Sequence, residues 1–65
     1  MKTAEDLIQE SIDNDTVVCH EWRADLEADL SAECEETYAI SPRAVAYNGT
    51  DELGAKWSIR LHVTH

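Results

Sequence analysis

A strictly alternating segment near the C-terminus constrains the fold of this chain more than any other feature. In KWSIRLHVT (residues 56–64), the apolar residues Trp57, Ile59, Leu61 and Val63 alternate with polar or charged residues. Alternation with a period of two is typical of a strand that buries one face against a core. Because isolated strand pairs are at best marginally stable, this strand needs neighbours and a covering layer. The segment therefore predicts a small sheet with helices on one face.

The nearest candidate for a neighbouring strand lies directly upstream. The pattern of RAVAYNGTDELGAKW (residues 43–57) favours strand, loop and strand, with Asn48-Gly49 and Gly54 expected to supply positive φ angles. A competing interpretation makes SPRAVAYNG (residues 41–49) a short helix that begins at Ser-Pro and ends at Gly. We favour the hairpin because the alternating strand needs a partner.

The N-terminal segment predicts a helix. Thr3 and Asp6 have the spacing of a capping box, and acidic residues in a first turn are stabilised by the helix dipole. DNDT (residues 13–16) predicts a turn after this helix, because Asn and Asp side chains bond their own backbone. Helical spacing assigns one face of the helix to Ala4, Leu7, Ile8, Ser11 and Ile12.

The segment from residue 17 to residue 36 fits two interpretations. Its even-numbered apolar positions have the period of a strand, whereas its content of Ala, Leu, Glu and Asp favours a helix. We interpret it as a second helix. Read that way, it carries an apolar stripe of Val18, Trp22, Leu26, Leu30 and Cys34 and an acidic stripe of Glu21, Asp25, Asp29 and Glu33.

Together these elements predict the α+β class: two N-terminal helices packed on a small antiparallel sheet built around a C-terminal β-hairpin. Residues 38–40 are expected to add a short third strand. Residues 1–65 are interpreted as a single small acidic domain. A chain of this length buries only about 60% of its unfolded surface, which leaves little room for a deep cleft and makes a homodimer a reasonable expectation.

The net charge of −9 limits the classes of partner. Residues 1–36 contain twelve acids and two bases, and residues 37–65 contain two acids and three bases, so the negative charge belongs to one half of the chain. Such a chain is disfavoured for direct binding to nucleic acid or to an anionic membrane, and it favours a basic protein partner. No apolar run is long enough to span a bilayer, and the acidic N-terminus does not look like a signal peptide, so we expect a cytoplasmic protein.

No motif in the sequence predicts catalysis, a cofactor or a metal. The possible metal ligands lack the close paired spacing of a zinc site, and the acidic surroundings oppose an activated thiolate. We therefore expect a non-enzyme whose cysteines are reduced thiols, with a disulfide between them as the alternative. The possible ligands are Cys19, His20, Cys34, His62 and His65.

The acidic stripe of residues 21–36 has a stability cost that solubility alone does not require. Like charges at i, i+4 each destabilise a helix by about 0.2–0.5 kcal/mol, and the stripe contains three such pairs in a row. A regular row of carboxylates can, however, take the place of a nucleic-acid backbone in a groove of Lys and Arg. We therefore expect partner binding by seven acids: Glu21, Asp25, Asp29, Glu33, Glu27, Glu35 and Glu36.

In size, charge and absence of catalytic motifs, the chain is similar to the phage-encoded DNA-mimic proteins, which include anti-restriction and anti-CRISPR proteins. That similarity is one of composition. It implies an inhibitor that occupies the basic site of a host or defence enzyme in the cytoplasm of the host cell. The alternative is a small dimerisation or assembly subunit in which Trp22 and Trp57 are apolar anchors and the acids only keep the protein soluble.

Overall fold

The computed structural model describes residues 2–62 as two helices and one four-stranded sheet. The α+β class and the order of two early helices and a C-terminal hairpin are confirmed. The elements in chain order are α1 (Ala4–Asn14), β1 (Val17–Cys19), α2 (Ala24–Glu33), β2 (Glu36–Ser41), β3 (Ala44–Thr50) and β4 (Lys56–His62). Three residues named above lie outside the described residues: Val63 and Thr64 of the alternating segment, and the possible metal ligand His65.

The predicted hairpin forms the centre of the sheet, whose strand order is β1-β4-β3-β2. β3 pairs antiparallel with β4, and β2 pairs antiparallel with β3. β2 is the short strand predicted at residues 38–40, and it is longer than predicted. The sheet is mixed rather than purely antiparallel, because β1 runs parallel to β4. The prediction missed β1, whose Val17 and Val18 are β-branched and suit a strand.

The interpretation of residues 17–36 as one helix is therefore wrong at both ends. The helix is limited to α2, β1 precedes it, and β2 begins at Glu36. The even-numbered apolar positions from Trp22 to Cys34, which favoured a strand, lie mostly within α2, so their alternation does not reflect a strand. Val18 was assigned to the apolar stripe of the predicted helix. It is 45% exposed, because its strand turns it away from the helices.

The competing short helix at residues 41–49 is also excluded, since Ala44–Thr50 is a strand. Gly54 has the expected positive φ of 84°, but Gly49 does not have a positive φ and lies within β3. It is needed for space, because a Cβ at this position would lie 2.6 Å from Cε2 of Trp57. The glycine thus allows the indole ring to lie flat against the strand.

The core lies between the helices and one face of the sheet. Residues directly opposite in the register point to the same face, which places Tyr47 beside Ile59 and Val45 beside Leu61. Both helices contribute leucines to this layer. The buried cluster is formed by Ala4, Leu7, Leu26, Leu30, Tyr47, Trp57, Ile59 and Leu61.

The helix α1 is tied to the sheet by a buried hydroxyl group. Ser11 is 2% exposed; its Oγ donates to the Ser58 carbonyl at 2.9 Å and accepts from the Ser58 N–H at 2.7 Å. The first β1 residue, Val17, pairs with Ile59, so Ser58 lies just beyond the end of that pairing. The Ser11 side chain therefore satisfies backbone groups of β4 that β1 does not reach.

Candidate functional site

The seven acids predicted to bind a partner are all exposed, but the structure distributes them over several elements. Asp25, Asp29 and Glu33 follow i, i+4 spacing along α2 and form what we call the α2 acid row. Glu21 belongs to the loop before α2, so its predicted place in that row is wrong. Glu27 also lies on α2, while Glu35 and Glu36 lie at the start of β2.

Two of these acids already have partners within the chain. Arg23 Nε donates to Asp25 Oδ1 at 3.0 Å, and the indole N–H of Trp22 donates to Glu27 Oε2 at 2.8 Å. Arg23 also donates to the Lys2 carbonyl at 2.8 Å, which links the N-terminal ends of the two helices. These contacts hold the loop before α2 in place and reduce the charge that Asp25 offers to a partner.

The remaining members of the α2 acid row, Asp29 and Glu33, face an open groove of about 600 Å³ that the sequence does not reveal. The groove runs between α1, α2 and the loop that joins β3 to β4. We call it the acidic groove. It is lined by Ala4, Glu5, Ile8, Gln9, Ile12, Asp29, Ala32, Glu33, Thr50, Asp51, Glu52, Leu53 and Trp57.

The acidic groove combines carboxylates from three sides with an apolar floor. Glu5 comes from α1, Asp29 and Glu33 from α2, and Asp51 and Glu52 from the β3–β4 loop. The ion pairs within residues 2–62 are Lys2–Glu10 and Arg23–Asp25, and neither includes a groove carboxylate. No Lys or Arg is among the described residues that line it. Cationic groups from another molecule would thus find unneutralised charge here.

The β3–β4 loop presents its acidic and apolar side chains through a defined turn. Asp51 Oδ1 accepts from the N–H groups of Leu53 at 2.9 Å and Ala55 at 2.7 Å, and the Gly54 N–H donates to the Asp51 carbonyl. One oxygen of Asp51 therefore shapes the loop. The turn leaves Leu53 93% exposed at the groove, although an apolar side chain of this size is usually covered.

Glu35 and Glu36 belong to a different concavity. They line a second hollow of about 530 Å³ together with Asp15, and this hollow also contains Lys56. Its charge is therefore mixed, unlike that of the acidic groove. The structure thus divides the predicted acids and brings only Asp29 and Glu33 together in the more acidic of the two sites.

The sequence contains part of the signal for the groove residues that were not among the seven predicted acids. Asp51 and Glu52 lie in the loop of the predicted hairpin, and they line the groove. Ile8 and Ile12 were assigned to the apolar face of α1, and Glu5 lies outside that face. Only the packing of α1 beside α2 shows that the boundary between these faces opens into a groove.

The other candidate residues do not form a site within residues 2–62. Cys19 and Cys34 are free thiols, and the rings of His20 and His62 lie 4.8 Å apart. Within the same residues, no three His, Cys, Asp or Glu side chains come together to hold a metal ion. Trp57, one of the two proposed apolar anchors, is only 3% exposed and belongs to the core.

Comparisons with known proteins add no identification. The chain matches no protein-family model, no curated protein and no solved structure. Neither helix among residues 2–62 has the length and apolar character that a membrane crossing requires. The geometry and charge of the acidic groove and of the α2 acid row are therefore the observations that bear on function.

Proposed function

We propose that this protein is a non-catalytic acidic interaction protein that binds the basic, nucleic-acid-binding surface of another protein. The observation that carries the proposal is the acidic groove, which is lined by five carboxylates from α1, α2 and the β3–β4 loop and by no basic residue among the described lining residues. The α2 acid row runs into this groove through Asp29 and Glu33. A surface of this kind is complementary to Lys and Arg side chains that contact phosphates.

The spacing of the α2 acid row supports a partner that normally reads a phosphate backbone. Side chains at i, i+4 on a helix lie about 5–6 Å apart, which is close to the separation of successive phosphates along an extended strand. Binding would be steered by the charge of the acidic half and would weaken as salt rises. The finer proposal is an inhibitor of the phage type, which competes with DNA or RNA for a host or defence enzyme, as anti-restriction and anti-CRISPR proteins do.

A pull-down from bacterial lysate tests this function. Wild-type protein is compared at low and high salt with a variant in which Asp29 becomes Asn and Glu33 becomes Gln. The control variant carries Asp13→Asn and Asp15→Asn, which neutralise two exposed acids outside the acidic groove and outside the seven predicted acids. Circular dichroism first establishes that all three proteins are folded.

We expect the wild type and the control to retain a nucleic-acid-handling protein that the groove variant and high salt release. Added DNA or RNA should then displace the same protein. If all three proteins retain the same partner, or if none retains any, the acids of the groove are a solvated surface and the proposal fails.

A further inference from the structure

We propose that the occupant of the acidic groove is a basic amphipathic helix of the partner protein, whose apolar side chains lie on the groove floor and whose Lys and Arg side chains meet the rim. This inference rests on the proposed function and adds to it the kind of structure that the groove recognises. A surface that only imitated the charge of a nucleic acid would not need an apolar floor.

The floor is apolar where the rim is acidic. Ile8 and Ile12 of α1 are only half-buried, Ala32 of α2 is exposed, and the buried Trp57 also lines the groove. Leu53 stands at the loop end with 93% of its surface exposed. These side chains bring apolar surface from both helices and the loop into one concavity, which is the arrangement of a docking groove rather than of scattered surface residues.

The distribution of charge around the floor favours a helix over an extended segment. Carboxylates stand on both sides, with Glu5 on α1 and Asp29 and Glu33 on α2. A helix can place an apolar stripe in the groove with basic residues on each flank, because neighbouring side chains project around its axis. A strand projects alternate side chains to opposite faces, so its basic residues would point away from the rim when its apolar residues contact the floor.

The test uses two designed peptides of Leu and Lys with identical composition and a fluorescent label. Each has about 14 residues, or roughly four helical turns. In the amphipathic peptide the leucines form one helical face, and in the scrambled peptide they are distributed around the helix. Fluorescence anisotropy measures the dissociation constant of each peptide for the full chain.

Three variants locate the binding. Leu53→Ser removes apolar surface from the groove, and it is not expected to affect folding because the side chain is almost fully exposed. Ile40→Ser is its matched control, since Ile40 is a similarly apolar, exposed residue of β2 that does not line the groove. The combination Asp29→Asn with Glu33→Gln removes charge from the rim while leaving the floor.

We expect the amphipathic peptide to bind at least about tenfold more tightly than the scrambled one, which is the effect of burying one or two leucines. Leu53→Ser should weaken binding of the amphipathic peptide by about tenfold and leave binding of the scrambled peptide unchanged. Ile40→Ser should change neither constant. The rim variant should weaken both peptides.

The outcomes separate this inference from the proposed function. If both peptides bind equally, or if Leu53→Ser has no larger effect than Ile40→Ser, the helix inference is overturned. Should the rim variant still weaken both peptides in that case, the acidic binding function stands alone. If neither peptide binds even at low salt, both proposals fail together.

Discussion

The helices α1 and α2 pack on the same face of the sheet but are stabilised in different ways. At the start of α1, the Thr3 hydroxyl accepts from the Asp6 N–H at 3.2 Å, and the Asp6 carboxylate accepts from the Thr3 N–H at 3.1 Å. The N-cap of α2 is Arg23, whose side chain makes no capping hydrogen bond. The first helix therefore satisfies its terminal N–H groups locally, and the second does so less well.

The side-chain charges are likewise better compensated at α1 than on α2. Just before α1, Lys2 forms an ion pair with Glu10 of the helix, and this contact raises the pKa of the Lys2 ammonium group. On α2, the acid row repeats like charges at i, i+4, and no ion pair within residues 2–62 includes Asp29 or Glu33. The buried side chains of Leu26 and Leu30 attach α2 to the core. The comparison indicates that α1 is built for local stability, whereas α2 depends on its packing and carries charge at some cost.

The largest expected effect is on the free energy of unfolding and comes from a substitution that disrupts the packing on which α2 depends. Leu30 is 0% exposed, and Leu30→Ala should lower the free energy of unfolding by about 2–5 kcal/mol, because it removes buried methyl groups and leaves a cavity. Urea denaturation followed by circular dichroism measures the change. Leu53→Ala, the same substitution at a 93% exposed position, should be nearly neutral. Equal effects at the two positions would contradict the assigned core.

The next effect compares a buried serine of α1 with an exposed serine of α2. Ser11→Ala should cost about 1–3 kcal/mol, because it leaves the N–H and carbonyl of Ser58 without their partner in a buried position. Ser31→Ala should cost less, within about 0.5 kcal/mol, since Ser31 is an exposed residue of α2. Thermal unfolding of both variants measures the difference. A Ser31 variant less stable than the Ser11 variant would contradict the role of the Ser11 side chain in holding α1 against β4.

The capping box of α1 predicts a dependence on pH. The N–H and hydroxyl groups of Thr3 hold the pKa of the Asp6 carboxyl below its usual value. The box therefore stabilises the folded state above the ordinary pKa of an aspartate, and this stabilisation is lost as the pH falls through the lowered pKa. Asp6→Asn should destabilise the protein at neutral pH, with a difference from wild type that shrinks in acid.

The matched control for Asp6 is Asp13→Asn, which changes an exposed carboxylate of α1 outside the box. Denaturant midpoints measured across the acidic range give both comparisons. A difference between wild type and Asp6→Asn that stays constant down to the lowest pH would exclude the box as its source.

The smallest expected effect is a gain in stability. Asp29→Asn with Glu33→Gln should raise the free energy of unfolding by about 0.5–1 kcal/mol, because it removes like-charge pairs and a carboxylate near the C-terminal end of α2. The gain should shrink in high salt, which screens the repulsion that the substitutions relieve. The same exchanges at Glu5 and Asp13 of α1 provide the control, and a larger gain there would mean that α2 bears no special cost.

The sequence predicts most of the fold where the pattern is local. The alternation of residues 56–62, the spacing of Thr3 and Asp6, and the apolar face of α1 each depend on neighbours in the chain, and the structure confirms them. The strand β1 could not be predicted in the same way. Three residues are too few to show a period, and they become a strand only because β4 offers a parallel edge.

The candidate site was predicted less completely, because part of it depends on packing between elements that are distant in the chain. The acids of α2 follow one helical spacing and could be found from the sequence. Their meeting with Glu5, Asp51 and Glu52 depends on how α1 and the β3–β4 loop pack beside α2, which no local pattern encodes. Glu21 was included because the helix was extended too far towards the N-terminus.

The most direct test of the account measures binding and stability in the same variant. In the chain with Asp29→Asn and Glu33→Gln, the free energy of unfolding and the dissociation constant for the amphipathic Leu-Lys peptide are both determined at low salt. We predict that the variant is more stable than wild type and binds the peptide at least about tenfold more weakly, a loss of about 1.4 kcal/mol in binding free energy. A variant that binds the peptide as tightly as wild type would show that the carboxylates of the acidic groove are not a binding surface.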